Sequence, residues 1–394
     1  MSTVETNPPV APYFMRQPGK PFPPPEYADF RKLNGLAQVA LPSGGRAWLI
    51  TRHEDVRAVL TDPRISSDPS REGFPRPTAT AGVPTPHEVP GWFVGSDAPD
   101  HTRLRKALIS EFTIRRMKAI QGTVEEIVDG CIDRMLADGK READLVNDFA
   151  LAVPSLVIAT MLGVPPADRK FFEAQSKVLV TISSEDEKRA DASRQVHRYL
   201  NRLIALRRKR PADDMISRLV ASGQVTDREI PGVAMLLLIA GHETTANNIS
   251  LGAVTLMQNP QWIGDPRIVE ELLRYHSVAD LVLMRAVLED IEIGGQLVRK
   301  GEGLVLLVAG ANHDDAVFER AGEFDPSRSA QGHVAFGYGV HQCLGQNLVR
   351  IEMEVAYRKL FERIPTLEVA APIATLPYKY DGVLFGLHNL PVRW

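Results

Sequence analysis

Hydrophobic residues recur three and four positions apart along most of this chain. Residues 101–163 and 168–210 show that spacing, and residues 228–257 are apolar on nearly every face near their middle. Such spacing places apolar side chains along one face of an α-helix, and a helix that is apolar all round lies inside a protein. The pattern therefore predicts a mainly α-helical fold around one long central helix, about 45 Å at 1.5 Å per residue.

Shorter apolar segments predict a minor β region. Residues 37–41 and 46–51 flank a Pro-Ser-Gly-Gly turn and predict a β-hairpin. Further strands are expected at 281–288, 291–293 and 304–308, and further helices at 54–60, 269–276 and 344–363. Only residues 260–267 separate the central helix from the helix that follows it.

The organisation of the chain indicates one folded unit. Residues 1–25 are polar and proline-rich, and we expect an N-terminal arm there. We expect a single domain over residues 26–394, because neither an internal repeat nor a linker interrupts them. Residues 67–90 are rich in proline, glycine, serine and threonine. A loop of that length in a compact protein is usually functional or mobile.

Composition limits the cellular compartments and the classes of binding partner that we expect for this protein. The net charge is −3 with mixed signs throughout, which excludes a general attraction to nucleic acid, and the basic run 207–210 is expected to be a solvated helix end. Cys131 and Cys343 are the two cysteines, so we expect no disulfide framework and a reducing cytoplasm. Residues 1–25 lack the pattern of a signal peptide, and the longest apolar run, 233–240, is far below the roughly 20 residues that span a bilayer. We therefore expect a soluble protein without a membrane anchor.

Cys343 lies in a setting that suits a metal-bound thiolate. It begins the predicted helix 344–363, where unpaired backbone N–H groups and the helix dipole favour a negative sulfur. Phe336 can shield that sulfur from water, Gly337 permits backbone conformations that a Cβ would block, and Gly345 leaves room for a flat ligand. An isolated cysteine is more often a small buried core residue. The thiolate interpretation therefore depends on the whole segment.

Residues 336–345 resemble the haem-binding signature of the cytochrome P450 family. In its bacterial form that signature is F-x-x-G-x-H-x-C-x-G, and the match is complete at every specified position. The resemblance covers nearly the whole chain and is closest to the soluble actinobacterial members. It implies the cytochrome P450 fold, with the long central helix over a haem. It also implies that Cys343 is the axial thiolate ligand of the iron and that the cofactor is heme b (iron protoporphyrin IX).

Residues 240–245, A-G-H-E-T-T, interrupt the apolar stretch of the central helix and resemble the family's A-G-x-[DE]-T. Burying an unpaired carboxylate and hydroxyls is costly, so the alternatives are a solvated groove and a functional site. By the resemblance, Ala240 and Gly241 leave room above the haem. Glu243 and Thr244 are the catalytic pair, in which Thr244 hydrogen-bonds dioxygen and Glu243 passes protons inward. Thr245 is expected to bond back to its own helix.

Glu271 and Arg274 match the family's E-x-x-R. Alone, such a pair is usually a surface contact worth a few tenths of a kcal/mol. By the resemblance it is a buried ion pair that locks the segment before the haem loop. Arg328 is a candidate third member. Because Glu323 stands where many relatives carry an arginine, the third member stays open.

Four basic residues are expected to meet the two haem propionates. Residues 97–105 resemble D-P-P-x-H-x-x-x-R, with Ala98 in place of the first proline, and supply His101 and Arg105 on one helical face. Arg285 and His341 match two further propionate-binding positions. Each alone is more often a surface cation. The remaining histidines in these regions are expected to be structural: His242, His276, His313 and His333.

The resemblance implies a haem-thiolate monooxygenase of secondary metabolism. We expect it to insert one oxygen atom from O2 into a mid-sized, mostly apolar small molecule or natural product. Because no flavin or iron–sulfur module is evident in the sequence, electrons are expected from a ferredoxin and a ferredoxin reductase, with the enzyme acting as a monomer. Oxidative aryl or C–C coupling on the same scaffold is the alternative, and a non-enzymatic haem sensor is a further one.

Two surfaces follow from the resemblance. A basic docking surface for the electron donor, or else a set of merely solvated helix faces, would comprise Arg103, Lys106, Arg115, Arg116, Arg350 and Arg358. Apolar substrate-pocket walls, or ordinary core, would comprise residues 74–93, 171–182, Leu236, Leu237, Ala240, 279–283, Leu384 and Phe385.

Relatives usually carry an extra helix where this chain has residues 260–267, so local structure there is expected to differ.

Overall fold

The architecture comes from a computed structural model that describes residues 8–20, 22–76, 87–180, 186–380 and 382–394. Residues 77–86 of the predicted loop and residues 181–182 of the predicted pocket wall lie outside these ranges.

The described residues are mainly α-helical, as predicted. The helices are α1 (Glu26–Arg31), α2 (His53–Val59), α3 (Asp100–Ile109), α4 (Ile114–Leu136), α5 (Ala152–Leu162), α6 (Arg169–Val180), α7 (Asp186–Lys209), α8 (Met215–Ser222), α9 (Ile230–Gln258), α10 (Ile268–His276), α11 (Val308–Asn312) and α12 (Gln346–Arg363). A π-helical turn, Val146–Ala150, precedes α5. None of the helices in these ranges combines the length and apolar character that crossing a bilayer requires.

The strands are short and form three sheets. They are β1 (Val10–Pro12), β2 (Ala37–Ala40), β3 (Arg46–Ile50), β4 (Ile65–Ser66), β5 (Glu142–Asp144), β6 (Leu283–Val287), β7 (Ile291–Ile293), β8 (Gln296–Val298), β9 (Gly303–Leu306), β10 (Glu368–Val369) and β11 (Pro391–Arg393). The largest sheet has the order β1-β2-β3-β9-β6-β4, the second β10-β11-β5, and the third is the hairpin β7-β8.

Helix α9 is the predicted central helix. Pro231 lies in its first turn, where a missing backbone N–H costs nothing. Its residues are buried on nearly all sides, because α5, α7, α10 and α12 pack around it. The Tyr357 hydroxyl of α12 donates a hydrogen bond of 2.7 Å to the Asn248 carbonyl of α9. This contact ties the helix that follows Cys343 to the centre of the protein.

The largest sheet is covered on both faces. Trp48 and Ile50 of β3 point into one apolar cluster and Ala47 and Leu49 into another, as the alternation of side chains along a strand requires. The predicted hairpin is confirmed by β2 and β3, which pair antiparallel with Gln38 opposite Trp48. Within the predicted arm, β1 pairs parallel with β2, which extends the same sheet to residue 10.

Two local predictions were wrong. The segment 101–163 is not helical throughout, because β5 interrupts it and pairs with β11, with Ala143 opposite Val392. The predicted strand 304–308 ends at Leu306, and α11 begins at Val308. In both cases pairing with distant residues decided the local structure. Between α9 and α10 the chain forms only the short 3₁₀ turn Pro260–Trp262, so no α-helix lies between them.

Candidate functional site

Cys343 lies between the 3₁₀ turn Gly339–His341 and α12, and two residues separate it from Gln346, where α12 begins. The Cys343 backbone N–H donates to the Phe336 carbonyl at 2.8 Å, which closes the loop around the thiol. Burial raises the pKa of the Cys343 thiol, whereas the backbone N–H groups of Gly345 and Gln346 lower it. The start of α12 therefore supplies the donors that a thiolate needs, and a bound cation would supply the remaining charge.

Phe336 is held by a cation on α12. The Arg350 guanidinium lies 4.8 Å from the centre of the Phe336 ring. Arg350 Nε in turn donates to Glu270 Oε1 at 2.5 Å, and His333 Nε2 lies 3.2 Å from Glu270 Oε2. Glu270 precedes the predicted E-x-x-R glutamate, so α10 fixes both the ring and the helix on either side of the thiol.

The glycines of the loop serve different purposes. Gly339 has φ +69°, and a Cβ there would lie 2.5 Å from the Leu60 carbonyl oxygen, so the backbone passes too close for any other residue. At Gly337 φ is +68°, and the nearest neighbour of a Cβ would be Leu283 at 4.0 Å. A Cβ at Gly345 would meet nothing within 4 Å. The space beside Gly345 suits a flat ligand.

The middle of α9 faces an open space. Ala240 is exposed although most of the surrounding helix is buried, and Gly241 and Thr244 are half-buried. The Thr244 hydroxyl donates to the Ala240 carbonyl at 2.7 Å. Glu243 is buried and accepts a hydrogen bond of 2.7 Å from Lys379 Nζ. An acid and a hydroxyl therefore lie one helical turn after a small, exposed residue of an otherwise buried helix.

The structure distinguishes other residues of this segment. A Cβ on Gly241 would lie 3.3 Å from Ile158 Cδ1, so the small residue also admits α5. His242 points to the other side, where its Nε2 lies 2.9 Å from the Leu151 carbonyl, and burial lowers its pKa to about 4. The prediction that Thr245 bonds back to the helix was wrong. Its hydroxyl is buried without a partner, and Thr244 makes that bond instead.

The four predicted propionate ligands converge. The His101 and His341 rings lie 3.9 Å apart, Arg105 Nη2 donates to the Gln342 carbonyl at 2.6 Å, and Arg285 is buried on β6. Burial lowers the pKa of Arg285 to about 10. Burial, together with the neighbouring basic groups, lowers the pKa of His341 to about 2. Burial also lowers the pKa of His101 to about 4.

The charge of this basic cluster (His101, Arg105, Arg285, His341) is poorly balanced. The negative charge of Asp97 opposes the lowering of the pKa of His101 and of Arg285. Asp97 also accepts hydrogen bonds from the Ser66 hydroxyl and the Ser67 N–H. The buried Nε2 of His101 has no partner. Buried cations without counter-charges are unfavourable, so the cluster suits an anion such as a carboxylate.

Glu271 and Arg274 form a fully buried bidentate ion pair. Arg274 Nη2 lies 2.7 Å from Glu271 Oε1, and Arg274 Nε lies 2.8 Å from Oε2. Arg328 Nε donates to the same Oε1 at 3.0 Å, so Arg328 is the third member that the sequence left open. Glu323 contributes only its carbonyl oxygen, and its carboxylate pairs with Arg320 on the surface.

The predicted basic docking residues are mostly paired. Four of the six make ion pairs: Arg103 with Glu229, Arg116 with Glu111, Arg350 with Glu270, and Arg358 with Glu125. Within the described ranges, neither Lys106 nor Arg115 forms an ion pair. Three exposed apolar side chains lie on α3, α4 and the cysteine loop: Ile109, Ile114 and Val340.

Phe385, predicted in a substrate-pocket wall, stacks on Phe22 with ring centres 3.8 Å apart and on Tyr378 at 5.7 Å. These rings line a cavity of about 420 Å³ beside the second half of α9. The loop that carries Tyr378 and Phe385, called the C-terminal loop below, therefore also contacts Phe22 near the N-terminus. Lys379 of the same loop was missed by the sequence analysis, and no local pattern marks it.

Comparison with known proteins decides the family. The family model described as Cytochrome P450 matches residues 266–367. The vitamin D3 dihydroxylase of Streptomyces griseolus is 42% identical over 398 residues, which cover 98% of this chain and 97% of that protein. The chain is a cytochrome P450.

Solved P450 structures agree with this assignment. Cytochrome P450 MoxA from Nonomuraea recticatena superposes with a TM-score of 0.90 at 41% identity, covering 96% of this P450 and 97% of MoxA. The mycinamicin VIII C21 methyl hydroxylase MycCI from Micromonospora griseorubida, solved with mycinamicin VIII bound, gives a TM-score of 0.86 at 38% identity, covering 96% and 98%. The protein is accordingly a P450 monooxygenase with a haem-iron cofactor and a small-molecule substrate, and it depends on redox partners.

The residues present fit a haem. The open space beside Gly345 would admit its plane, and the basic cluster with its unpartnered His101 nitrogen matches two carboxylates. The Cys343 sulfur, which precedes α12, is a soft ligand of the kind that can bind haem iron as a thiolate. Each part of the site thus has a chemical counterpart on the cofactor.

Proposed function

We propose that this P450 hydroxylates a mid-sized, mostly apolar natural product. The observation that carries the proposal is the exposed Ala240 in the middle of a buried helix, with Glu243 and Thr244 beside it. Two relatives whose names state a hydroxylation, one of vitamin D3 and one of mycinamicin VIII, support the substrate class. Leu236 and Leu237, one turn before Ala240, supply apolar surface toward such a molecule.

The cofactor in this proposal is heme b, with Cys343 as its axial ligand. The propionates would meet His101, Arg105, Arg285 and His341. Phe336, Gly337 and Gly345 would line the ring, with Ala240 and Gly241 opposite. When bound, haem supplies the activation of dioxygen and the oxidation of the substrate C–H bond.

Glu243 and Thr244 would carry protons. Hydroxylation of R–H by O2 consumes two electrons and two protons and yields R–OH and water, so each turnover needs protons inside a site closed to bulk water. The Thr244 hydroxyl now donates to the Ala240 carbonyl, and its lone pairs remain free to accept. Turning that hydroxyl would let Thr244 pass a proton onward, with Glu243 as the carboxyl group that supplies it.

The electron donor in this proposal is a ferredoxin with its reductase, in the cytoplasm, and the enzyme acts as a monomer of one domain over residues 26–394. Lys106 lies in α3 and Arg115 in α4, and both carry positive charge suited to an acidic partner. The exposed Val340, three residues before Cys343, supplies an apolar contact in the cysteine loop.

The test begins with the spectrum of the reduced protein under carbon monoxide. A Soret band near the position typical of thiolate-ligated haem is expected, followed by a spin-state shift when an apolar substrate binds. With ferredoxin, reductase, NADPH and ¹⁸O₂, the product should gain one labelled oxygen atom. A coupled product without label would contradict hydroxylation. A protein that binds substrate but never turns over would contradict the enzymatic role.

A further inference from the structure

Glu243 has an ion-pair partner that lies far away in the sequence. Lys379 Nζ is 2.7 Å from Glu243 Oε1 and 3.1 Å from Asn247 Oδ1. The side chains of Lys379 and Glu243 are 11% and 10% exposed. Because little water screens two charges in that setting, they attract each other more strongly than a surface pair does.

Lys379 is held in place by the C-terminal loop. Tyr378 and Leu387 pair as an antiparallel bridge, and the Lys379 N–H donates to the Gly386 carbonyl at 2.9 Å. Gly386 lies directly on Asn247, since a Cβ there would be 2.2 Å from Asn247 Oδ1. The loop is therefore fixed to two successive turns of α9.

The pair sets the direction of the Glu243 carboxylate. In this structure that carboxylate meets Lys379, while the Thr244 hydroxyl hydrogen goes to the Ala240 carbonyl. A carboxylate that accepts a charge-assisted hydrogen bond from an ammonium group is held in one orientation. Glu243 is thus aimed at the loop that also carries Phe385.

We infer that Lys379 is a positioning residue that holds Glu243 and ties proton delivery to the position of the C-terminal loop. This inference rests on the proposed role of Glu243. In this inference Lys379 acts through the contact between its Nζ and Glu243 Oε1.

The test compares Lys379→Met, Lys379→Arg and Glu243→Gln in the full-length haem protein. Lys379→Met keeps an unbranched side chain but removes the charge. We expect it to retain its haem spectrum and its substrate KM, while the fraction of electrons recovered in product falls about tenfold. The solvent deuterium isotope effect on kcat should rise as it does in Glu243→Gln, and Lys379→Arg should restore most of the coupling.

Lys359→Met is the matched control. Lys359 Nζ lies 2.9 Å from Asp129 Oδ2, an ion pair of similar geometry between α12 and α4. Its loss should leave both the coupling and the isotope effect unchanged.

Three results would overturn the inference. If Lys379→Met matches the wild type while Glu243→Gln is impaired, Lys379 does not position Glu243, and the role of Glu243 stands. If both variants match the wild type, the proposed role of Glu243 fails as well. A change in KM alone would show that the loop only contacts substrate. Should Lys379→Met fail to retain haem, Lys379→Gln provides the same comparison.

Discussion

Gly252 of α9 lies directly against Tyr357 of α12, and a Cβ on Gly252 would be 2.0 Å from the Tyr357 hydroxyl oxygen. The same hydroxyl donates to the Asn248 carbonyl one turn earlier. The absence of a side chain at residue 252 therefore sets the distance between the central helix and the helix that begins after Cys343.

Gly252→Ala should destabilise the protein although alanine is the better helix former. The gain in helix propensity is about 1 kcal/mol, whereas overpacking against Tyr357 costs about 1–3 kcal/mol. Urea unfolding followed by circular dichroism should show a lower midpoint. The double variant Gly252→Ala with Tyr357→Phe should recover part of the loss, because removing the hydroxyl relieves the clash. A midpoint above the wild type would contradict the close approach.

Thr244→Val should uncouple electron consumption from product formation. Valine keeps the shape of threonine but has no hydroxyl to pass a proton, and positioned proton transfer contributes at least about a hundredfold. Hydrogen peroxide released per NADPH consumed is the measurement. Thr245→Val is the matched control, because the Thr245 hydroxyl is buried without a partner. Equal coupling in the two variants would remove the proposed role of Thr244.

Arg285→Leu should weaken haem binding and stabilise the protein without haem. Arg285 is buried among His101, Arg105 and His341, so its loss relieves repulsion in the absence of propionates. In the haem protein the loss of one charge-assisted hydrogen bond of about 1.5–3 kcal/mol should speed haem transfer to apomyoglobin about tenfold or more.

The control for this variant is Arg299→Leu, which removes an exposed arginine paired with Asp290. Haem transfer from that variant should match the wild type. If Arg285→Leu retains haem as firmly as the wild type does, the basic cluster does not hold the propionates.

Glu271→Gln should lower the free energy of unfolding by about 3–5 kcal/mol, the usual result of leaving one member of a buried ion pair without its partner. Arg274 would keep its charge at a site closed to water, since the side chains of Arg274 and Glu271 are 0% and 1% exposed. Arg320→Leu removes the exposed pair with Glu323 and should cost no more than about 1 kcal/mol. Denaturant midpoints of the two variants, followed by the haem absorbance and by circular dichroism, test the difference.

Glu352→Gln should stabilise the protein at alkaline pH. Burial raises the pKa of Glu352 from 4.5 to about 8, so the folded state holds a proton that the unfolded state releases between these values. The stability contributed by Glu352 is fully present below pH 4.5 and is lost as the pH rises toward 8. Glutamine does not ionise, so the variant should have the higher urea midpoint at pH 9 and nearly the same midpoint at pH 5.

Glu354→Gln is the matched control for that pH series, because Glu354 is exposed on the same helix. Its midpoint should follow the wild type at both pH values. A Glu352→Gln curve parallel to the wild type would show that Glu352 does not change its protonation on folding.

The helices and the cysteine loop were predictable because their signals are local. The apolar run of α9 and the three- and four-residue spacing of α4 record burial directly in the sequence. Short strands carried a weaker signal. β5 is a strand only because β11, more than two hundred residues later, pairs with it.

The candidate site shows the same division. The sequence by itself determined which residue types stand at 240–245 and 336–345, and these were enough to indicate haem-thiolate chemistry. Only the tertiary structure decided that Arg328 joins Glu271, that Thr244 makes the bond expected of Thr245, and that Lys379 meets Glu243. Glu243 and Lys379 are 136 residues apart. Contacts of that kind depend on how separate elements pack against each other. Hydrophobic periodicity indicates which face of a helix or strand is buried, but it does not indicate which residues that face contacts.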